Sequence, residues 1–214
     1  MHKKRLLTFV LMVIVISDSN FVYSLESSNP EYVFVSELTP GEHLPEFYAA
    51  TTQLTLHKEP SKLSPVVEQF KIKNGEKITF DETRYCTVKP AIVKTVNSTY
   101  LYDVIKYGKL KYFSMKAYYE AGSGPESKFA LKSGEVIEYL QYRAEGSCIF
   151  RWRGDIYAGS CSWEGRPNSA DFNMESLPIN ELWVRITKNK KTSGWFLVEK
   201  KLVTGSTLPY WHRQ

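Results

Sequence analysis

Histidine and cysteine are scarce in this chain, and their scarcity removes most enzyme chemistries from consideration. Four histidines and three cysteines occur in 214 residues. His2 lies in a basic leader, which leaves His43, His57 and His212. There is no Gly-x-Ser-x-Gly elbow, no His-Glu-x-x-His and no Cys-x-x-Cys, so no local signature of a serine hydrolase, a zinc protease or a thiol redox site is present. Cys86 and His57 are the one nucleophile–base combination to consider, set against Cys86 as a buried free thiol. Asp171-Phe-Asn173-Met-Glu175 spaces oxygens alternately but lacks the glycine and the length of a calcium loop. No cofactor and no metal are expected.

Long apolar runs are also missing. Leu6 to Ile16 spans 11 residues, against about 20 for a membrane-crossing helix. His2-Lys3-Lys4-Arg5 precedes that run and Val22-Tyr23-Ser24 follows it, so residues 1–24 read as a secretory signal peptide. The mature chain carries no further spanning segment and is expected in the periplasm or outside the cell. Charge of one sign is weak too. The formal charge is +5, of which the leader holds +2 (Lys3, Lys4 and Arg5 against Asp18), leaving +3. That excess is too small to argue nucleic-acid binding.

What the chain does have is tyrosine, 14 of them in a total of 14% aromatic residues, which favours strands over helices. No stretch shows sustained helical periodicity, and short alternating runs are separated by Gly, Pro and Asn turns, which predicts an all-β barrel or sandwich. A nine-residue pattern recurs: Phe70-Lys-Ile-Lys-Asn-Gly-Glu-Lys-Ile78 and Phe129-Ala-Leu-Lys-Ser-Gly-Glu-Val-Ile137 share Phe, Lys, Gly, Glu and Ile at matching places, with Ile72 against Leu131, at an offset of 59. A constant offset implies two copies of one supersecondary unit, each with Gly75 or Gly134 at a hairpin turn.

An exported protein with three cysteines suggests one disulfide. Cys148 to Arg153 and Ile156 to Cys161 flank Gly154-Asp155, a two-residue turn with Gly first. That register sets Trp152 opposite Tyr157, Phe150 opposite Gly159 and Cys148 opposite Cys161, at a pair close enough for a bridge. Cys148, Phe150, Trp152, Tyr157 and Cys161 then share the apolar face, and Arg151 and Arg153 project from the other.

Leu54-Thr-Leu-His57, the Pro60-Ser61 loop and Lys73-Asn74-Gly75-Glu76 resemble the start of a bacterial SH3 (SH3b-type) domain, a family of exported envelope proteins. Lys132-Ser133-Gly134-Glu135, Trp183-Val-Arg-Ile186 and Gly194-Trp195 resemble a second copy. The first copy departs in its later half, with Tyr102-Asp-Val-Ile105 and Tyr112 where the family has Trp. The resemblance implies two small SH3-like β-barrels in tandem over 47–120 and 121–205, the second interrupted by an inserted hairpin at 143–180. Residues 25–46 read as a linker with a possible edge strand at Tyr32–Val35, and 206–214 as a tail. Trp183 and Trp195 are expected in the cores.

The candidate binding surface is the hairpin's outer face and the loop beside it: Arg151, Arg153, Trp163, Tyr142 and Arg143. Arginine with exposed aromatics is a composition enriched at interfaces and at anionic ligands. The leading expectation is a non-enzymatic envelope protein binding peptidoglycan or a protein partner. The alternatives are a secreted inhibitor and a small cell-wall hydrolase. The last is disfavoured because two barrels use nearly the whole mature chain. Arg153-Gly154-Asp155 is accounted for by the turn, and the Asn97-Ser98-Thr99 sequon matters only in a eukaryotic secretory pathway.

Overall fold

A computed structural model describes residues 31–37, 45–120, 128–143, 146–163, 169–188 and 192–205. The expected signal peptide and tail, His43, His212 and the Gly122–Pro125 break lie outside the described residues. Among those described, the chain is nearly all strand, with one short helix, α1 (Met115–Glu120). No helix there is long and apolar enough to cross a membrane.

One set of strands contains β2 (Phe47–Ala49), β3 (Gln53–His57), β4 (Val66–Lys71), β5 (Lys77–Ile78) and β6 (Glu82–Lys89), and β16 (Ile179–Lys188), β17 (Thr192–Leu197) and β18 (Val203–Thr204) complete it. A second set contains β7 (Ala91–Thr95), β8 (Thr99–Leu101), β9 (Ile105–Gly108), β11 (Phe129–Leu131), β12 (Val136–Tyr142), β13 (Ser147–Trp152), β14 (Asp155–Ser160) and β15 (Phe172–Met174). Two further strands, β1 (Phe34–Ser36) and β10 (Tyr112–Phe113), complete the list. The second set is nested in the first. The chain leaves β6 at Pro90, which lacks the N–H to continue the ladder, makes 91–174, and returns with β16 paired to β6 and β17 paired to β3. A division at 120/121 therefore does not follow the strand pairing. A nine-residue match locates one hairpin in each copy but carries no information on which distant strands join it.

The two sets share one pattern of pairing, with β5 and β6 together matching β12 and β3 matching β8 and β9 together. Gly75 and Gly134 both have positive φ, +80° and +83°, the left-handed conformation that glycine adopts without penalty. Each turn is tied identically: the Lys73 and Lys132 N–H groups donate to the Glu76 and Glu135 carboxylates, at 3.0 and 2.9 Å. The Gly N–H groups donate to Ala49 O and Thr95 O, both at 2.8 Å. Outward from the turns, Phe70 faces Leu54 as Phe129 faces Leu101, and Ile78 faces Phe47 as Ile137 faces Val93. Across each set, β6, β16 and β17 are neighbours in the order of β12, β13 and β14. The disulfide hairpin is thus the counterpart of β16–β17 and an integral part of its set, not an insertion. Continuous ladders close neither set into a barrel among the described residues.

Each set encloses a core of its own. Leu54, Leu56, Tyr85, Val184 and Phe196 fill the first; Val93, Ile137, Tyr139, Phe150, Trp163 and Phe172 fill the second. A third core seals the sets together, with Phe34 and Phe113 against Leu140, Ile149, Ile156 and Ala158. Here β1 does more than an edge strand in a linker. It runs between β6 and β10, paired on both sides and fully buried. A bulge in β12 between Tyr139 and Gln141 re-aims the side chains at this seam. The Gln141 amide then donates to Tyr85 O and Thr87 Oγ1 at 2.8 and 3.1 Å, and Asn180 donates to Leu140 O at 3.2 Å.

Candidate functional site

The hairpin forms with a register two residues away from the expected one. Its turn is Arg153-Gly154, both with positive φ (+50° and +85°), as a type I′ turn requires. Trp152 faces Asp155, Phe150 faces Tyr157, and Cys148 faces Gly159. A shift of two preserves the side-chain alternation, so the apolar and polar faces are as expected. The Cys148–Cys161 disulfide forms diagonally, with Cα atoms 5.9 Å apart, past the residue that has no side chain. Gly159 cannot carry one cheaply, since a Cβ there would lie 2.9 Å from Val104 Cγ2.

The five candidate binding residues separate. Trp163 is not on the surface: it is fully buried in the second core, edge-on to Tyr139, Phe150 and Phe172. Tyr142 lies opposite Cys148 and packs on that same core. Arg143 sits half-buried where β12 hands over to β13, its N–H bonded to Ser147 O at 2.9 Å. Arg151 and Arg153 do lie on the outer face. Arg151 retains 23% side-chain exposure, pairs with Glu138 at 2.7 Å and donates to Val33 O at 2.9 Å. Arg153 is 69% exposed, pairs with Glu135 at 2.8 Å and stacks 4.1 Å from the Trp152 ring. At the turn, the Asp155 carboxylate bonded to Lys106 at 2.6 Å holds that ammonium above its ordinary pKa.

Residues that the sequence did not single out complete this face. The third core covers the half over β13 and β14. The half over β15, β7 and β12 is open. Two cross-strand rows line it: Asn173, Lys94 and Val136, then Ile92, Glu138 and Arg151. Ile92 and Val136 are each 47% exposed, unusual for aliphatics in the middle of a sheet. One signal was available. In Ala91-Ile-Val-Lys-Thr95 the apolar residues adjoin, so only Lys94 fixes which of them point outward, and it puts Ile92 with itself.

The outer face of the first set has a different character. Tyr32 donates to Glu181 at 2.7 Å, Trp183 Nε1 donates to Tyr32 Oη at 2.9 Å, and Lys62 closes on the same carboxylate at 2.5 Å. Beside them a shallow groove of about 460 Å³ is lined by Lys62, Asn180, Glu181, Glu199, Lys200 and Lys201, with Lys62–Glu181 and Lys201–Glu199 already paired. Arg84 is held between the Tyr112 and Trp195 rings, 5.4 and 5.2 Å from their centroids. Cys86 is free and buried. His57 donates from Nδ1 to Ser64 O at 2.9 Å and lies edge-on to Trp183. β16 and β17 separate Cys86 from His57, three strand spacings or about 14 Å, so the two cannot act as a dyad. Among the described residues no group of acidic, Cys or His side chains could hold a metal ion.

This arrangement has an alkaline signature. Burial, and then the bond to Glu181, raise the Tyr32 phenol well above its ordinary value of 10.0; burial and then the bond to Glu37 raise Tyr112, and burial pushes the Cys86 thiol above 9.0. Groups with raised folded-state pKa values stabilise fully below their unfolded values, and that contribution is lost as pH rises past them. Urea midpoints should therefore fall between about pH 9 and pH 11, with a smaller fall in Tyr32→Phe. A flat profile over that range would contradict the buried phenols.

Comparison with protein-family models, curated proteins and solved structures gives no match to this chain.

Proposed function

We propose that the protein is an exported, non-enzymatic binding protein of the cell envelope, built from two SH3-like units, that holds a protein partner on the open outer face of its second unit. The observation carrying this reading is the pair of half-exposed aliphatics, Ile92 and Val136, set between Lys94, Glu138 and Arg153 on the outer face of the sheet. Apolar contact area ringed by charge is the anatomy of a protein interface. The repeated Lys-x-Gly-Glu turns support the SH3-like relation, and the Cys148–Cys161 disulfide supports export. A rigid hairpin loses little entropy on binding, which favours it as a presenting element for a protein partner or for an enzyme the protein inhibits.

Peptidoglycan is the second reading, and a different feature favours it. Sugars stack on aromatic rings, and Tyr100, beside the Lys128 ammonium, and Tyr102 are exposed on and after β8, in a different sheet from Ile92. The experiment compares capture of envelope proteins with binding to purified sacculi. Ile92→Asp and Val136→Asp should reduce protein capture about tenfold or more, as loss of central apolar contacts does, with melting temperatures nearly unchanged. Sacculus binding lost only in Tyr100→Ala with Tyr102→Ala would instead support the second reading. Parent-level capture and sacculus binding in both sets of variants would refute both.

A further inference from the structure

Among the described residues every free sheet edge is short except one: β5, β10 and β18 have two residues, β8, β11 and β15 three, and β9 four. Short edges are how folded proteins avoid unwanted strand pairing. β4 ends the largest sheet with six residues, Val66–Lys71, and among the described residues pairs only with β3. Its ladder with β3 is unbroken from Gln53–Lys71 to Leu56–Glu68, and Ile72 N–H donates to Thr52 O at 3.2 Å. Hydrogen-bonded and non-bonded pairs alternate along an antiparallel ladder. Gln69 and Lys71 therefore point their N–H and C=O groups away from β3. Beside this edge stand Leu63, 79% exposed, and the exposed Val66 and Val67.

We propose that β4 is a self-association edge, where two copies of the chain join antiparallel about a twofold axis at Gln69. The inference does not depend on what the outer face of the second unit binds. An antiparallel pair keeps like faces together, so a residue can oppose only one an even number of places away. The register centred on Gln69 runs from Val67, at the bulge where the β3 ladder shifts, to Lys71. Lys71 then lies over Val67 of the other copy, Glu68 meets Phe70, and the two Gln69 amides face each other. The strand carries one acid and one base, and no like charges are opposed in this register, as an isologous contact requires. The aliphatic stem of Lys71 covers the exposed Val67.

The register makes a charge-swap test possible in the full mature protein, using sedimentation equilibrium. The parent should be a dimer. Val67→Lys sets lysine against Lys71 twice across the seam and should raise the dissociation constant at least about tenfold. Adding Lys71→Glu should restore dimerisation, because the opposed pair becomes complementary. Gln69→Pro removes the outward N–H at the axis while sparing the β3 ladder, and should yield a monomer. Gln69→Ala, which also loses the Thr55–Gln69 side-chain bond of 3.1 Å, should remain dimeric. A parent that stays monomeric at its highest soluble concentration overturns the proposal. So does a dimer indifferent to Val67→Lys, or one that Lys71→Glu fails to rescue.

Discussion

Trp163→Ala should destabilise the protein by about 3 to 5 kcal/mol, the range for truncating a buried aromatic core residue. The indole has no exposed surface, and its ring contacts Tyr139, Phe150 and Phe172 at centroid distances of 6.2, 5.9 and 5.1 Å. Those three rings belong to β12, β13 and β15, so the cavity would open where three strands of the second unit converge. Its Nε1 has no hydrogen-bond partner among the described residues, which separates volume from polarity. Trp163→Phe gives up part of the packing and no hydrogen bond, so it should cost much less than alanine. Urea denaturation of both variants checks this. A loss below about 1 kcal/mol for alanine would contradict the packing, because surface substitutions fall in that range. Arg153→Ala, at an exposed ion pair, supplies the contrast and should change stability by less than about 1 kcal/mol.

Trp163 also shows where sequence reading stops. It follows Cys161 in a Gly- and Pro-rich stretch without periodicity, so nothing local distinguishes a core indole from an exposed one. The one clue was parity: residues 161 and 163 share a side, and Cys161 was already on the apolar face. Parity is also why the hairpin's two faces were legible although its register was not. Gly154-Asp155 looked the natural turn because glycine came first. The chain instead uses Arg153 at φ +50°, an uncommon conformation for a side chain of that size, and supports it with Glu135 and the Trp152 ring. Such compensation is tertiary and leaves no local mark.

Long-range pairing was legible only in fragments. The repeat identified two equivalent turns, down to the Glu that accepts from the Lys N–H two residues before the glycine. It did not show that one partner of β6 and one of β3 come from beyond residue 178, because nine residues encode one hairpin and not the order of a sheet. Tyr32–Val35 was recognisable as a strand. Its place between β6 and β10 depends on Phe34 filling the seam beside Phe113 and Leu140, contacts that no pattern within residues 25–46 could reveal. Lys94 marks Ile92 as outward-facing, but the exposure of Ile92 and Val136 depends on that face being left uncovered, which no local pattern reveals.

Removing both half-cystines, Cys148→Ala with Cys161→Ala, should cost about 2 to 4 kcal/mol by loop-closure entropy. The bridge spans a sequence separation of only 13, which keeps that term near the middle of the range. Position matters as much as loop length. Both half-cystines are buried in the core that holds Trp163, and Cys161 N–H donates to Gly146 O at 2.8 Å, so the staple fixes the segment that delivers the indole. Losing the bridge and losing the indole should therefore not be independent. Neighbours that share a cavity couple, and the triple variant should be less destabilised than the summed single effects. Serine at both positions should be worse than alanine, because two hydroxyls would enter an aromatic core. Denaturation of the alanine pair, the serine pair, Trp163→Ala and the triple variant measures each of these. Strict additivity would mean that the bridge and Trp163 stabilise separate parts of the unit, contrary to the core they share.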